Sequence, residues 1–120
     1  MFTVKVISKF SSAHSLREYK GKCEELHGHN WRVEVAVSKK NLNSMGMVTD
    51  FKNIKAFLNK VLEELDHKHL NEVEHFKEIN PTSENIAKFI YDKLLGNGED
   101  LNISYVTVWE TETSSATYQL

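Results

Sequence analysis

The sequence has 120 residues and a near-balanced charge, 15 Lys and Arg against 17 Asp and Glu, whereas a nucleic-acid-binding module usually carries a clustered basic excess. Its one cysteine cannot form an internal disulfide, which excludes a secreted disulfide scaffold. No apolar run approaches the ~18 residues that a membrane helix requires, and residues 1–5 begin a strand-like alternation rather than a secretory leader. We therefore expect one cytoplasmic domain over residues 1–120, with no nucleic-acid or membrane partner.

Two segments in the first third of the chain alternate between two kinds of side chain. In Thr3–Ser8 and more clearly in Trp31–Ser38, valines and other apolar residues occupy every second position. Because successive side chains of a strand face opposite sides, both segments predict half-buried strands. The polar stretch 17–22 between them predicts a loop.

Two helices are predicted in the middle of the chain. Across residues 50–65 apolar side chains recur at helical spacing, and Asp50 is a suitable N-cap. The second helix begins where Thr82 or Ser83 can cap it, and Gly96 stands where a helix often ends. The apolar stripes are Ile54, Leu58, Val61, Leu62 and Leu65 in the first helix, and Ile86, Ala87, Ile90 and Leu94 in the second.

The last quarter of the chain returns to strand patterns. Ile103–Glu110 alternates, and a short strand over residues 116–119 follows a turn rich in Thr and Ser. The order β-β-α-α-β-β predicts an α+β fold, an antiparallel sheet with both helices on one face. Its unpaired edges must be covered or shared, and homo-oligomerisation through the sheet is one solution.

Three histidines are candidate metal ligands. His27 and His29 share one face of the second strand because they are two residues apart, and His14 can reach them from the neighbouring strand. Three imidazoles leave the fourth position of a tetrahedral zinc open, which is the arrangement of a catalytic site. The alternative is that His-Gly-His is a polar turn without a metal.

Four further residues each have two interpretations. Cys23 is either a thiol activated by a nearby metal or a small buried hydrophobe. Asp66 can orient the adjacent His67 for proton transfer, or both can simply lie at a charged helix C-terminus. Glu110 can accept paired hydrogen bonds from the ring edge of a pterin or guanine, or it is a solvated strand end.

Five motifs follow one another along nearly the whole chain. They are Phe10-Ser11-Ser12-Ala13-His14, Cys23-x-x-x-His27-Gly28-His29, Leu65-Asp66-His67-x-x-Leu70-Asn71, Pro81-Thr82-Ser83-Glu84-Asn85 and Glu110-Thr111. Together they resemble the 6-pyruvoyl tetrahydropterin synthase / 6-carboxytetrahydropterin synthase family. The resemblance implies the tunnelling fold, in which the sheets of three subunits close into a barrel and two such rings stack into a hexamer. It also implies active sites that lie between subunits.

The resemblance further implies roles for individual residues. The ligands of a Zn²⁺ cofactor are His14, His27 and His29. The proton-transfer groups are Cys23, Asp66 and His67. The residues that bind the pterin are Glu110, Thr82, Ser83 and Glu84. The resemblance does not assign the residues that bind the triphosphate of the substrate, for which Arg17, Lys20 and Lys22 are candidates.

The implied substrate is 7,8-dihydroneopterin triphosphate, and three products are open. The three-residue spacing between Cys23 and His27 resembles bacterial 6-carboxytetrahydropterin synthases of queuosine biosynthesis, which cleave the side chain and release acetaldehyde and triphosphate. The longer-spaced animal-type enzymes make 6-pyruvoyl tetrahydropterin instead. Glu24 after Cys23 resembles paralogues that also produce 6-hydroxymethyl-7,8-dihydropterin for folate synthesis, so Glu24 is a further catalytic candidate or else a loop residue. The alternative from another class is a non-catalytic oligomer that binds a pterin or purine.

Overall fold

The computed structural model describes residues 1–21, 24–96 and 101–120. The strands are β1 (Phe2–His14), β2 (His27–Lys39), β3 (Lys68–His69), β4 (Ile103–Trp109) and β5 (Ser115–Tyr118). The helices are α1 (Phe51–Leu62) and α2 (Ser83–Leu95), and two short 3-10 helices, Leu70–Glu72 and Glu74–Phe76, connect β3 to α2. In these three stretches no helix combines the length and the apolar character needed to span a lipid bilayer.

The strands form one sheet in the order β3-β1-β2-β4-β5. The pairs β1–β2, β2–β4 and β4–β5 are antiparallel, whereas β3 runs parallel to β1. The sequence pattern predicts only the four antiparallel strands, because β3, a strand of two residues, is too short to show an alternation. The clearest alternation covers Thr3–Ser8 and Trp31–Ser38, and the structure extends both strands to the histidines, as the placement of His27 and His29 on the second strand required.

One face of the sheet is apolar and packs against both helices, as predicted. Val6 and Phe10 from β1 meet Trp31 and Val35 from β2, and all of them join one buried cluster with α1 and α2. Every residue of the two predicted helical stripes is buried in this cluster. Burial of such side chains, worth about 1.5–3 kcal/mol each, therefore fixes which face of the sheet the helices cover.

The helix ends follow the predicted chemistry with one difference. The Asp50 carboxylate accepts a hydrogen bond from the Lys52 backbone N–H, and Thr82 caps α2 by accepting one from the Asn85 N–H. Gly96 ends α2 in an ordinary right-handed conformation, with φ of −76°, so this helix end does not use the conformational freedom of glycine.

The molecule is elongated, with principal extents of 54, 23 and 22 Å. The length follows from β1 and β2, which have 13 residues each and therefore span about 43 Å. At one end of these two strands the helix-covered face continues past Trp31 and carries His27, His29 and His14 in place of apolar side chains. The fold thus places polar side chains at the rim of the core.

Candidate functional site

The three histidines and Glu110 form one group at this rim. His14 ends β1 and lies directly opposite His27, the first residue of β2, while His29 follows on the same face. The ring centroids of the three imidazoles lie 4.7 to 5.2 Å apart. Each of the four side chains offers one ligand atom, and these atoms all lie within 4.8 Å of one another. The group could therefore hold a metal ion.

Backbone carbonyls fix the protonation of two of the imidazoles. The Nδ1 atom of His14 lies 2.7 Å from the carbonyl oxygen of Pro81, and that of His27 lies 2.9 Å from the carbonyl oxygen of Glu25. Since a carbonyl oxygen only accepts hydrogen bonds, each Nδ1 carries a proton, and Nε2 is the ring nitrogen that is left to bind a metal. Histidines that bind a metal usually have this arrangement.

Two of the Nε2 atoms lack any hydrogen-bond partner in the described part of the chain. Those of His14 and His29 are buried, and a buried polar atom without a partner costs about 1–3 kcal/mol. Burial, followed by the neighbouring imidazoles of His14 and His27, lowers the pKa of His29, although the Glu110 carboxylate acts in the opposite direction. His29 is therefore held in its neutral, ligating form. The donor set fits a divalent metal such as zinc.

Glu110 lies closer to the histidines than the sequence analysis foresaw. Its Oε1 atom is 2.8 Å from Nε2 of His29 and 3.6 Å from Nε2 of His14. The 2.8 Å distance between Glu110 and His29 is not a hydrogen bond, since Nε2 of His29 has no hydrogen-bond partner among the described residues. Glu110 thus offers a carboxylate oxygen to the same point as the imidazoles. The alternation through Val106 and Val108 already places Glu110 on their face, a signal that the prediction of a pterin anchor did not use.

The residues at the start of α2 lie at different distances from this group. The buried Ser83 hydroxyl donates a hydrogen bond of 3.5 Å to Oε2 of Glu110. The Thr82 hydroxyl accepts the Asn85 N–H as the helix cap, and Glu84 is exposed on the first turn. Of the four predicted pterin-binding residues, Ser83 and Glu110 are therefore in direct contact with each other.

The side chains of Asp66 and His67 are in contact with each other on the outer edge of β1. The Asp66 carboxylate accepts the Ser11 backbone N–H at 2.9 Å, and its other oxygen lies 2.9 Å from Nδ1 of His67. The Ser11 N–H, and after it the His67 side chain, lower the pKa of Asp66. His67 has a φ of 54°, unusual for a residue with a side chain, and its imidazole is 83% exposed. Across the described residues no hydrogen bond or ion pair joins this pair to the three histidines.

The segment before His27 holds the other two catalytic candidates. Cys23 lies outside the described residues. The Glu24 carboxylate accepts the Leu16 backbone N–H at 3.2 Å and approaches Nδ1 of His27 at 3.7 Å. The Glu24 carboxylate is therefore held next to His27, on the side of the ring that carries Nδ1.

Arg17, a candidate for binding the triphosphate, has a guanidinium that is partly engaged within the fold. Its guanidinium donates hydrogen bonds to the carbonyl oxygens of Asn71, Phe76 and Ile79, at 3.1, 2.7 and 3.3 Å. These three bonds use three of the five N–H donors of the guanidinium. Lys20 is exposed, with its ammonium 5.4 Å from the centre of the Tyr19 ring, and Lys22 lies outside the described residues.

Two asparagines also bind the segment that follows His14 to the residues between β3 and α2. The Asn71 side chain pairs with the backbone N–H and C=O of Ser15, and the Asn80 side chain pairs in the same way with those of Arg17. These bonds tie the segment after His14 to the loop that ends at Pro81. Asn71 belongs to one of the sequence motifs, but nothing in the sequence indicated its partner.

Comparison with known proteins agrees with this arrangement. The family model described as 6-pyruvoyl tetrahydropterin synthase matches residues 3–120. A 6-carboxy-5,6,7,8-tetrahydropterin synthase of Synechocystis sp. is 40% identical over 114 residues, which cover 91% of this chain and 86% of that protein. A dihydroneopterin monophosphate aldolase of Pyrococcus furiosus is 35% identical over 104 residues, covering 86% of this chain and 84% of that protein.

A solved structure shows the same fold over almost the whole chain. It is that of Caenorhabditis elegans 6-pyruvoyl tetrahydropterin synthase, which matches with a TM-score of 0.87 at 28% identity and covers 99% of this chain and 95% of its own. The sheet, the two helices and the motifs therefore lead to one conclusion. The chain belongs to the 6-pyruvoyl tetrahydropterin synthase family.

Proposed function

We propose that this chain converts 7,8-dihydroneopterin triphosphate to 6-carboxy-5,6,7,8-tetrahydropterin and releases acetaldehyde and triphosphate, with a zinc bound by His14, His27 and His29. The observation that carries the proposal is the convergence of three imidazoles, two of them with Nδ1 held by a carbonyl. The identity to the Synechocystis synthase supports the choice of product. We further propose that residues 1–120 act as a single cytoplasmic domain in queuosine biosynthesis.

The bound zinc would supply Lewis-acid polarisation of the hydroxyl groups on the substrate side chain. The residues of the chain then have separate tasks. The carbonyls of Pro81 and Glu25 keep the imidazoles of His14 and His27 in the orientation in which they bind the metal. The side chain of Cys23 acts as the first proton-transfer group.

Glu110 would bind the pterin ring, with Ser83 holding its second oxygen. A carboxylate accepts two hydrogen bonds from the guanidine-like edge of a pterin, and Ser83 donates to Oε2 of Glu110. In this proposal the Oε1 atom of Glu110 leaves His29 when the substrate binds and contacts the edge of the pterin ring instead. Thr82 and Glu84, at the start of the same helix, would complete the contacts to the ring.

Asp66 and His67 would be the second proton-transfer pair. The hydrogen bond from the Ser11 N–H and the proximity of His67 keep the Asp66 carboxylate ionised, so it can stabilise a protonated imidazole. The pair lies on the outer edge of β1 and His67 is exposed, which favours an active site completed across a subunit boundary. This location is the reason to expect an oligomeric enzyme.

The test is product analysis by mass spectrometry after zinc-loaded protein is incubated with 7,8-dihydroneopterin triphosphate. We expect 6-carboxytetrahydropterin together with acetaldehyde and triphosphate. Cys23→Ala should lower turnover at least ~100-fold, the low end for a general acid–base group, while zinc content stays unchanged. Full turnover by metal-free protein, or 6-pyruvoyl tetrahydropterin as the product, would contradict the proposal.

A second product is favoured by the position of Glu24. Its carboxylate lies 3.7 Å from the His27 ring, and the chain is 35% identical to a dihydroneopterin monophosphate aldolase. We propose that Glu24 takes a proton in side-chain cleavage to 6-hydroxymethyl-7,8-dihydropterin. Glu24→Gln should then remove this product and spare the carboxy product.

Glu25→Gln is the matched control for Glu24. The two carboxylates are adjacent in the chain, but Glu25 is exposed and its contact with His27 is made by the backbone oxygen, which the substitution keeps. The control should leave both products unchanged. Loss of both products in Cys23→Ala, with no change in Glu24→Gln, would show that Glu24 takes no part in side-chain cleavage, and absence of the hydroxymethyl product in the wild type would leave a synthase with one activity.

A further inference from the structure

A pair of like charges lies on the face of the sheet that points away from α1 and α2, which we call the open face. Lys9 on β1 and Arg32 on β2 are directly opposite each other, and Arg32 is in turn opposite Trp109 on β4. The guanidinium lies 4.6 Å from the centre of the Trp109 ring. Like charges at directly opposite positions destabilise a strand pair, so this row needs a compensating interaction.

No carboxylate of the described residues forms an ion pair with either cation, although Glu112 lines the same cleft. Neither Lys9 nor Arg32 takes part in an ion pair among residues 1–21, 24–96 and 101–120. Glu34 is two residues from Arg32 on the same face, but its Oε2 atom accepts the Tyr105 hydroxyl at 2.6 Å. The nearest acidic side chain on the strand is thus directed away from the two cations.

Two hydrogen-bond donors beside this pair also lack partners. In the described part of the chain, the Nε atom of Arg32 and the Nε1 atom of Trp109 are buried and make no hydrogen bond. Both residues line a cleft of about 380 Å³, together with Lys9, Asn30, Thr111 and Glu112. The Glu112 side chain is exposed and makes no ion pair with Lys9 or Arg32 among the described residues. A guanidinium and an indole N–H only donate hydrogen bonds, so a ligand that satisfies them must be an acceptor.

We propose that this cleft binds an oxyanion of the phosphate type, either free phosphate or a phosphate group of a polyphosphate. The anion would accept hydrogen bonds from Arg32 and Trp109 and neutralise the charges of Arg32 and Lys9. The site is distinct from the histidine group, because successive residues of a strand face opposite sides and Glu110 follows Trp109. It therefore does not depend on the proposed reaction.

The two tryptophans of the chain allow the two sites to be observed separately. Trp109 lines the cleft, whereas the Trp31 ring lies 4.9 Å from the His14 ring and donates its Nε1–H to the Ser12 carbonyl. With 5-fluorotryptophan incorporated in the zinc-loaded protein, ¹⁹F NMR gives one signal for each site. Inorganic phosphate at constant ionic strength should shift the Trp109 signal to saturation and leave the Trp31 signal in place.

Charge-removing variants connect the signal to the cleft. Lys9→Gln and Arg32→Gln should each weaken phosphate binding roughly tenfold, since each removes one charge-assisted interaction. Lys9 is exposed, so its substitution tests the proposal even if Arg32→Gln does not fold. Lys5→Gln is the matched control: Lys5 is on the same strand and face, but its ammonium lies over the Tyr105 ring, which binds Glu34.

The outcomes separate the proposal from general attraction of anions. An effect of Lys5→Gln equal to that of Lys9→Gln would overturn it, as would a phosphate titration that shifts Trp31 together with Trp109. Absence of any Trp109 shift would also overturn it and would leave the carboxylate of a neighbouring subunit as the partner of the cations. Pyrophosphate in the same assay distinguishes the sources: binding tighter than that of phosphate assigns the cleft to a polyphosphate, and weaker binding to a single phosphate.

Discussion

The Nδ1 atom of His14 lies 2.7 Å from the carbonyl oxygen of Pro81, a residue 67 positions further along the chain. The orientation of one candidate metal ligand is therefore set by a loop rather than by its own strand. That loop is in turn connected back to the segment after His14 through the paired hydrogen bonds between Asn80 and the backbone of Arg17. Metal affinity and the anchoring of this loop should consequently be linked.

Asn80→Ala should weaken zinc binding about 10- to 100-fold, the usual effect of removing the support of a metal-binding histidine. The reason is that the Pro81 carbonyl is less well positioned once the two bonds to Arg17 are lost. Competition with a chelator measures the affinity. Asn43→Ala is the control, because Asn43 also makes two bonds to backbone N–H groups, in a turn before α1. Equal zinc affinities for the two variants would contradict the link.

The second prediction concerns metal content. Purified protein should carry close to one zinc per subunit, and His27→Ala should lose it because only two imidazoles would remain in the group. Elemental analysis measures the ratio. His75→Ala serves as the control, since His75 packs against Phe76 and Phe89 and lies outside the group. Zinc retained at full occupancy in His27→Ala would show that the histidines are not the ligands.

The third prediction is a pH dependence of the free energy of unfolding. The folded protein holds the pKa of Asp66 below its ordinary value of 3.8, because the carboxylate accepts the Ser11 N–H and faces His67. The unfolded state therefore binds more protons as the pH falls, and the stabilisation by ionised Asp66 is complete above pH 3.8. It is lost as the pH falls through the lower, folded pKa.

Urea unfolding of the wild type and Asp66→Asn over this range tests the sign. The difference in stability between the two proteins should be constant above the ordinary pKa and should shrink on acidification. Asp92→Asn, which removes an exposed carboxylate paired with Lys88 on α2, is the comparison. A difference that grows as the pH falls would show that the ionised Asp66 does not stabilise the fold.

The fourth prediction is the oligomeric state. Residues 2–10 on the outer edge of β1 and the outer edge of β5 have no strand partner among the described residues, so their backbone groups are free to pair with another copy. We expect a hexamer in solution, or at minimum a trimer. Light scattering over a dilution series measures the mass, and a value equal to one chain of 13.9 kDa at micromolar concentration would contradict this.

The sequence by itself determined the features that depend on local periodicity. Alternation predicted that His27 and His29 share one strand face, and the helical repeat predicted the buried stripes of α1 and α2. The Asp50 cap was equally predictable, because the carboxylate and the N–H that it binds are two residues apart. Geometry within a strand or a helix is repeated, so residue spacing is sufficient to predict it.

Tertiary structure alone decided which distant residues meet. Arg17 was a candidate for binding phosphate, and only the folded chain shows its guanidinium bonded to the carbonyls of Asn71, Phe76 and Ile79. The contact of Glu110 with His29 likewise joins the residue after β4 to a residue of β2. Such contacts depend on strand register and loop path, which are set by the packing of the whole core. The sequence therefore shows which charged side chains are present, whereas the partner of each one is decided only when the core has packed.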